Sequence, residues 1–235
     1  MTFSMRRVSA ILRKEIQDLK NNAQILLMAI LPLGLALFYK QMGQGKEFMG
    51  GFVIVMILCM VTTISQATLI AEEKEKHTLR VLMLSPASPF EIIIGKALPI
   101  IVLTFAISFL NLFILDVLQG NMLFMFLLML LGTLVFIIFG TIIALLAKNL
   151  VQVSVIASPV AMVLLMTPVL SNVIKNDILK NILSYLPTNH IFEAFVSIVE
   201  GKGFSAIAAD LINVSIWLVI SIIVCLFVYK KKQLD

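Results

Sequence analysis

Long apolar stretches without charged residues recur along the whole chain, and no other feature of the sequence constrains the fold as strongly. A helix needs roughly 20 mainly apolar residues to cross a bilayer, and it must satisfy its own backbone polar groups there. The stretches lie at 23–39, 48–70, 97–118, 122–147, 150–171 and 206–229. The sequence therefore predicts an all-α polytopic membrane protein with six transmembrane helices.

The composition supports this prediction. Hydrophobic residues make up 60% of the 235 residues and charged residues 13%, whereas soluble domains have roughly 45–50% apolar and about 25% charged residues. No small-residue cleavage site follows the first apolar stretch, so we expect no removable signal peptide. We expect a single transmembrane domain over 1–235.

Lysine and arginine are distributed unequally between alternate loops. An even number of spans places both termini on the same side of the membrane, and 5 of the 18 Lys and Arg residues lie on the other side. By the positive-inside rule, we expect both termini and the loop at 71–96 to be cytoplasmic. The predicted location is the plasma membrane.

The segment before the first span has the periodicity of an amphipathic helix. One helical face collects Val8, Ile11, Leu12, Ile16 and Leu19. We interpret 1–22 as an interfacial helix on the inner leaflet. The alternative is an ordinary positively charged flank of the first span.

The loop at 172–205 contains two more apolar stripes at helical spacing, separated at Leu186 and Pro187. Both stripes are interrupted by polar residues and are too short to span a bilayer. We predict two short amphipathic helices that cap the outer end of the bundle or enter it partway.

The sequence lacks the motifs of common membrane-bound catalysts: there is no HExxH pair, no GxSxG elbow and no P-loop. Asp116 and Asp210 fall near span ends, where we expect solvated side chains rather than a proton relay. Cys59 and Cys225 have no neighbour at ligand spacing and are interpreted as packing residues. We therefore expect no enzymatic activity, metal or cofactor in this chain.

The loop at 71–96 has local sequence signals for ordered helical structure, which a flexible connection between two spans would not need. The mixed-charge run 72–76 is expected to continue the second span as a helix beyond the membrane. Ser88 is placed to cap a new helix that begins at Pro89, with Glu91 in its first turn. We expect a rigid knuckle; the alternative is a capped turn that only joins two spans.

This loop resembles the corresponding loop of the ABC type-2 transporter permease family. The shared elements are the run 72–76, Thr78-Leu79, Leu82, Ser85-Pro86, Ser88-Pro89, Glu91-Ile92-Ile93 and Gly95-Lys96. The sequence departs from the family at His77, where Gly is usual, and at Arg80, where Glu is frequent. The segment 186–190 with Glu193 and Ala194 is similar to the family's segment before its last span.

The resemblance implies the membrane-spanning permease subunit of an ATP-binding-cassette exporter. The 71–96 loop would be a coupling helix that docks on a separate ATP-binding subunit, and two permease chains, identical or paralogous, would form the path. ATP and Mg²⁺ would belong to the partner subunit. The charged residues expected on the docking surface are Glu72, Glu73, Glu75, Arg80 and Glu91.

Polar residues within two spans are candidates for lining the transport path. A polar group in hydrocarbon usually faces protein or a cavity. The candidates are Thr62, Ser65 and Gln66 in the second span and Ser154, Ser158 and Thr167 in the fifth. Hydrogen bonds between helices are the alternative explanation.

Two other functions remain open at this point. One is a non-transport membrane anchor or ligand-binding module of a sensory or immunity complex. The other is a secondary transporter, which the lack of ionisable residues in the span middles disfavours. For an exporter, the substrate classes left open are a lipophilic drug, a peptide, a lipid-linked molecule and an ion such as sodium.

Overall fold

The computed structural model describes residues 4–42, 45–78, 88–174 and 176–233, and within these ranges it contains helices and short connections but no strand. The helices are α1 (Met5–Asn21), α2 (Ala23–Met42), α3 (Lys46–Met56), α4 (Thr63–Glu75), α5 (Pro89–Leu115), α6 (Met122–Leu146), α7 (Leu150–Val173), α8 (Asp177–Ser184), α9 (Pro187–Val199) and α10 (Phe204–Gln233). A π-helical segment, Ile57–Thr62, joins α3 to α4.

Six helical stretches of the described chain are long and apolar enough to cross a membrane, which confirms the prediction of an all-α multi-span protein. They are Ala23–Gln41, Lys46–Glu75, Glu91–Leu115, Met122–Leu146, Leu150–Ser171 and Phe204–Lys231. The third helix begins well before the predicted residue 97, so Lys96 lies inside α5 rather than in a loop. Hydropathy locates the apolar part of a helix, whereas the cap at Ser88 sets its first residue.

The second membrane helix, formed by α3, the π segment and α4, lies at the centre of the bundle. Of its most apolar window, 78% is buried, against 17–44% for the other five. Some of its polar side chains form hydrogen bonds to neighbouring helices. The Thr62 hydroxyl lies 2.8 Å from that of Thr104 on α5, and the Gln66 amide donates to Thr141 on α6 at 3.3 Å.

Helix α1 packs its apolar stripe against α5. Val8, Ile11 and Leu19 are buried, as predicted, whereas Ile16 is exposed. A Cβ at Gly95 would lie 2.6 Å from the Ile11 side chain, so the glycine permits this close approach. The structure thus attaches α1 to the bundle, and its position on the inner leaflet stays a prediction.

The two short helices predicted within 172–205 are present as α8 and α9. Most apolar side chains of α8 are exposed, whereas α9 lies among α3, α6, α7 and α10 with Ile191 and Phe195 fully buried. Adjacent glycines on α3 allow this packing: a Cβ at Gly50 would lie 2.8 Å from the Phe195 ring, and one at Gly51 2.9 Å from Phe192. Pro187 is the first residue of α9, where its missing N–H costs no hydrogen bond.

The end of α4 explains how the chain accommodates a residue that departs from the family pattern. His77 has φ of 56°, in the left-handed region that follows many helices and favours glycine. The histidine adopts the backbone turn that the usual glycine would make. The central part of the predicted knuckle, residues 79–87, lies outside the described residues.

Candidate functional site

The six crossings divide the bundle into two ends. We call the end that carries α1, the last turns of α10 and both flanks of 79–87 the terminal end. The other end, with α8 and α9, is the distal end. Of the charged side chains that the loop pattern singled out, those that the structure describes belong to the terminal end: Glu72, Glu73, Glu75 and Glu91.

Ser88 caps α5 as the sequence predicted, and together with Glu91 it forms a complete capping box. The Glu91 N–H donates to the Ser88 hydroxyl at 3.3 Å, and the Ser88 N–H donates to the Glu91 carboxylate at 2.7 Å. The same carboxylate accepts from the Ser4 N–H at 2.6 Å and from Arg7 Nη2 at 2.9 Å. Glu91 is fully buried by these contacts, and it joins the start of α5 to the start of α1.

A second group of charges joins three helices, and we call Lys14, Glu15, Glu73 and Lys96 the lysine–glutamate cluster. Lys96 Nζ, on α5, donates to Glu15 on α1 at 2.8 Å and also to Glu73 on α4. Lys14 Nζ donates to Glu15 at 3.2 Å and to Glu73. Two positive and two negative charges balance, which is the condition under which buried charges are tolerated.

For the two cluster residues on α1, Lys14 and Glu15, burial and ion pairing shift the pKa in opposite directions. Burial raises the pKa of the Glu15 carboxyl, and Lys96 and Lys14 only partly offset this effect. Burial disfavours the charged form of Lys14, but the hydrogen bond to Glu73 and the nearby Glu15 outweigh it and raise the pKa of Lys14 above its ordinary value. The cluster therefore depends on its ion pairs to remain charged.

The residues beside Glu73 connect α4 to other elements. The Asn22 amide, at the junction of α1 and α2, donates to Glu72. Lys74 Nζ donates to the carbonyls of Ala144 at 2.8 Å and Ala147 at 2.7 Å, at the end of α6. A lysine at this position satisfies free carbonyls and complements the negative end of the helix dipole.

Glu75 makes the last of these connections. Its carboxylate accepts from the Leu150 N–H, in the first turn of α7, at 3.4 Å. Four consecutive residues of α4, Glu72 to Glu75, thus contact four different places: the α1–α2 junction, the cluster on α1 and α5, the end of α6 and the start of α7. We call these four residues the α4 hub.

The structure separates the five residues predicted for ATPase docking. Glu73 and Glu91 lie inside the chain with intramolecular ion pairs, so neither carboxylate faces a surface on which another subunit could dock. Glu75 is exposed and Glu72 is partly exposed. Arg80 lies outside the described residues. The docking prediction is therefore retained for Glu72 and Glu75, and Glu73 and Glu91 are reassigned to internal structure.

The six candidate path residues are not brought to a common surface of the chain. Thr62, Ser65, Gln66 and Thr167 are buried within it, Ser154 is partly exposed and Ser158 is exposed. The Thr167 hydroxyl donates to the Val163 carbonyl of its own helix at 3.0 Å. The alternative that the sequence left open, hydrogen bonds between helices, is seen for Thr62 and Gln66, and a role in lining a path stays a prediction.

The distal end holds a group that sequence reasoning missed. Asp116 is exposed near Lys40 and Lys46, as predicted. The same prediction is wrong for Asp210, which is 9% exposed and lies with Oδ1 2.7 Å from Nδ1 of His190. These two residues are 20 positions apart, and only the packing of α9 on α10 brings them together. The sequence contained one signal for this group. His190 and Glu193 are three residues apart, one helical turn, and an acidic residue follows in the last span.

Comparison with known proteins agrees with the resemblance of the 71–96 loop. A family model described as ABC-2 family transporter protein matches residues 5–229. The search of curated proteins found no match. The matched range includes α1, the α4 hub, α9 and nearly all of α10, and so covers almost the whole sequence. This chain belongs to the ABC-2 family of transporter proteins.

Proposed function

We propose that this chain is the permease subunit of an exporter driven by a separate ATP-binding subunit. Family membership implies a membrane subunit that associates with such an ATPase. The α4 hub is the observation that carries the proposal, because Glu72 to Glu75 join the flank of 79–87 to α1, α5, α6 and α7. A segment connected in this way can transmit force from a docked partner to the spans.

In this mechanism the ATPase binds the 71–96 loop at the terminal end, with Glu72 and Glu75 on the docking surface. ATP binding draws the two ATPase subunits together and moves the loop with them. The hub and the lysine–glutamate cluster pass this movement to the helices as rigid bodies. Transport then follows from a change in the relative positions of the spans rather than from local unfolding.

Two permease chains form the path in this proposal. Support comes from the central helix, whose polar residues are buried against α5 and α6 rather than around an open channel. A path through the middle of one chain would have to displace these contacts. A path between two chains would leave them intact and would use exposed faces such as that of Ser158 on α7.

The same proposal sets the orientation, the membrane and the substrate class. The terminal end is cytoplasmic and the chain lies in the plasma membrane, as the distribution of Lys and Arg favours. An apolar groove between α6 and α7, lined by Phe139, Ile143, Pro159 and Val163, favours a lipophilic substrate such as a drug, peptide or lipid-linked molecule over a bare ion.

Gentle solubilisation of the tagged chain is expected to recover a P-loop ATPase in equal amount, with two copies of each subunit in the native mass. In Glu75→Lys, recovery should fall at least about tenfold, because like charges at an interface cost several kcal/mol and each 1.4 kcal/mol is about tenfold. Glu47→Lys, an exposed acid at the distal end, is the control and should bind normally.

The outcomes of this experiment separate the hypotheses. Full recovery with Glu75→Lys would contradict docking at Glu75 while leaving the subunit assignment in place. Recovery of no ATPase under several mild detergents would contradict the exporter subunit itself. The ligand-binding module of a sensory or immunity complex would then be the better assignment.

The orientation is tested by labelling with a membrane-impermeant maleimide in a background in which Cys59 and Cys225 are alanine. Lys202→Cys at the distal end should react on intact cells, whereas Lys76→Cys should react only after permeabilisation. Both lysines are exposed, so a lack of reaction reports sidedness rather than burial. The reverse pattern would place the hub away from any cytosolic ATPase.

A further inference from the structure

The group missed by sequence reasoning combines three metal-ligand side chains at the distal end. His190 and Glu193 lie on the same side of α9, one turn apart, and Asp210 lies on α10. One ligand atom from each lies within 4.8 Å of the other two. The residues come from two helices that pack together, so their spacing depends on tertiary structure rather than on a mobile loop.

Neighbouring side chains hold these three residues in place. Asp210 is nine-tenths buried, and its Oδ1 lies 2.7 Å from Nδ1 of the His190 ring. The Asn189 amide donates to the Glu193 carboxylate at 2.8 Å, and the Asn189 carbonyl in turn accepts from Ser171 at 3.1 Å. The site therefore has one buried carboxylate, one imidazole and one solvent-facing carboxylate with a supported orientation.

We propose that His190, Glu193 and Asp210 form a binding site for a divalent transition-metal ion of the Zn²⁺ or Mn²⁺ type. A neutral imidazole and two carboxylates supply a net charge of −2, which such a cation balances. Zn²⁺ takes nitrogen and oxygen ligands at about 2.0–2.2 Å in a tetrahedral arrangement, so two ligands of one ion lie roughly 3.3–3.6 Å apart. Binding would widen the 2.7 Å separation between the His190 and Asp210 atoms and bring the Glu193 carboxylate closer from its present place within 4.8 Å of the other two ligand atoms.

The ligand types also indicate which ions the site excludes. Mg²⁺ and Ca²⁺ prefer oxygen ligands, so replacing one oxygen by imidazole nitrogen disfavours them relative to Zn²⁺ and Mn²⁺. Glu193 is exposed, which gives the ion access from solvent and leaves room for water as a further ligand. A bound ion would connect α9 to the last span and stabilise the position of α9 in the bundle.

The test uses the purified full chain in detergent, with its affinity tag removed, titrated with ZnCl₂, MnCl₂ and CaCl₂ by calorimetry. Trp217, the single tryptophan, reports thermal unfolding in parallel; its indole donates to the Tyr185 carbonyl beside α9 at 2.8 Å. We expect one saturable Zn²⁺ or Mn²⁺ site per chain, a higher melting temperature with the metal, and no effect of Ca²⁺.

Matched variants decide whether these residues form the site. Glu193→Gln removes an exposed carboxylate and keeps the shape of the side chain, so the chain should fold; it should lower metal affinity at least about tenfold, as should His190→Gln. Glu200→Gln, directly after α9, and His77→Gln at the terminal end are controls with the same residue types and should bind normally.

Two results would overturn the proposal: no saturable binding in the unmodified chain, or binding that Glu193→Gln and His190→Gln leave unchanged. Either would make His190 and Asp210 a structural pair only. The measurement needs no ATPase and no substrate, so its outcome is independent of the proposed export function.

Discussion

Replacing Lys96 by alanine is expected to lower the free energy of unfolding by roughly 3–5 kcal/mol, the range found when one partner of a buried ion pair is removed. Lys96 pairs with Glu15 and Glu73, whose side chains are 1% and 6% exposed. In the variant, these two carboxylates share only Lys14. The uncompensated charge should detach α1 from α4 and α5 before the spans separate.

Unfolding of the chain in mixed micelles with increasing denaturing detergent measures this effect, and trypsin cleavage within α1 reports its detachment. Lys76→Ala is the matched control. That lysine is exposed and pairs with Glu72 one turn earlier, so its loss should cost at most about 0.5 kcal/mol.

A charge swap separates pairing from packing in this cluster. Lys96→Glu combined with Glu15→Lys restores opposite charges between positions 15 and 96, although it sets like charges at 73 and 96. The double variant should therefore recover part of the stability that Lys96→Glu alone loses. A Lys96→Ala variant that unfolds like Lys76→Ala, with α1 still protected from trypsin, would show that the ion pairs do not hold α1 in place.

Truncating Phe195 to alanine is expected to lower the free energy of unfolding by as much as Lys96→Ala does. Removing a large aromatic side chain from a packed interior costs roughly 3–5 kcal/mol. The ring is fully buried in α9 and lies against Gly50 of α3. Its removal leaves a cavity where α9 enters the bundle. The same unfolding measurement applies, with Ile178→Ala on α8 as the control, because Ile178 is 72% exposed.

The contact between Phe195 and Gly50 can be tested by a double-mutant cycle. Gly50→Ala alone places a methyl group 2.8 Å from the Phe195 ring and should cost about 1–3 kcal/mol by overpacking. In the combination with Phe195→Leu, the smaller side chain leaves space for that methyl, so the two effects should not add. Strict additivity would indicate that α9 does not pack on the glycine pair.

Features that depend on neighbouring residues were predictable from the sequence. The six spans follow from runs of apolar residues, since a helix in lipid satisfies its backbone internally. The start of α5 follows from Ser88, Pro89 and Glu91, whose capping interactions lie within one turn. The buried stripe of α1 and the two helices within 172–205 follow from a period of 3.6 residues.

Features that depend on the partners of charged residues were decided by tertiary structure. Glu73, Glu75 and Glu91 are equivalent in the sequence as acids of a charged loop, yet Glu73 and Glu91 are buried and Glu75 is exposed. Glu73 and Glu91 are covered by α1 and the residue before it, which lie 59 and 87 positions earlier in the chain at the two contacts. No local pattern specifies which acid is covered.

Tertiary structure also decided the partner of Asp210 at the distal end. The sequence predicted a solvated residue there, but the packing of α9 on α10 places His190 beside it. Hydrophobic periodicity determines that a helix has a buried side, because apolar area is removed from water whichever neighbour covers it. A hydrogen bond or ion pair is directional and extends only about 3 Å. The sequence by itself therefore determined the spans, caps and amphipathic faces of this transporter protein, and the packing of distant helices decided which polar groups meet.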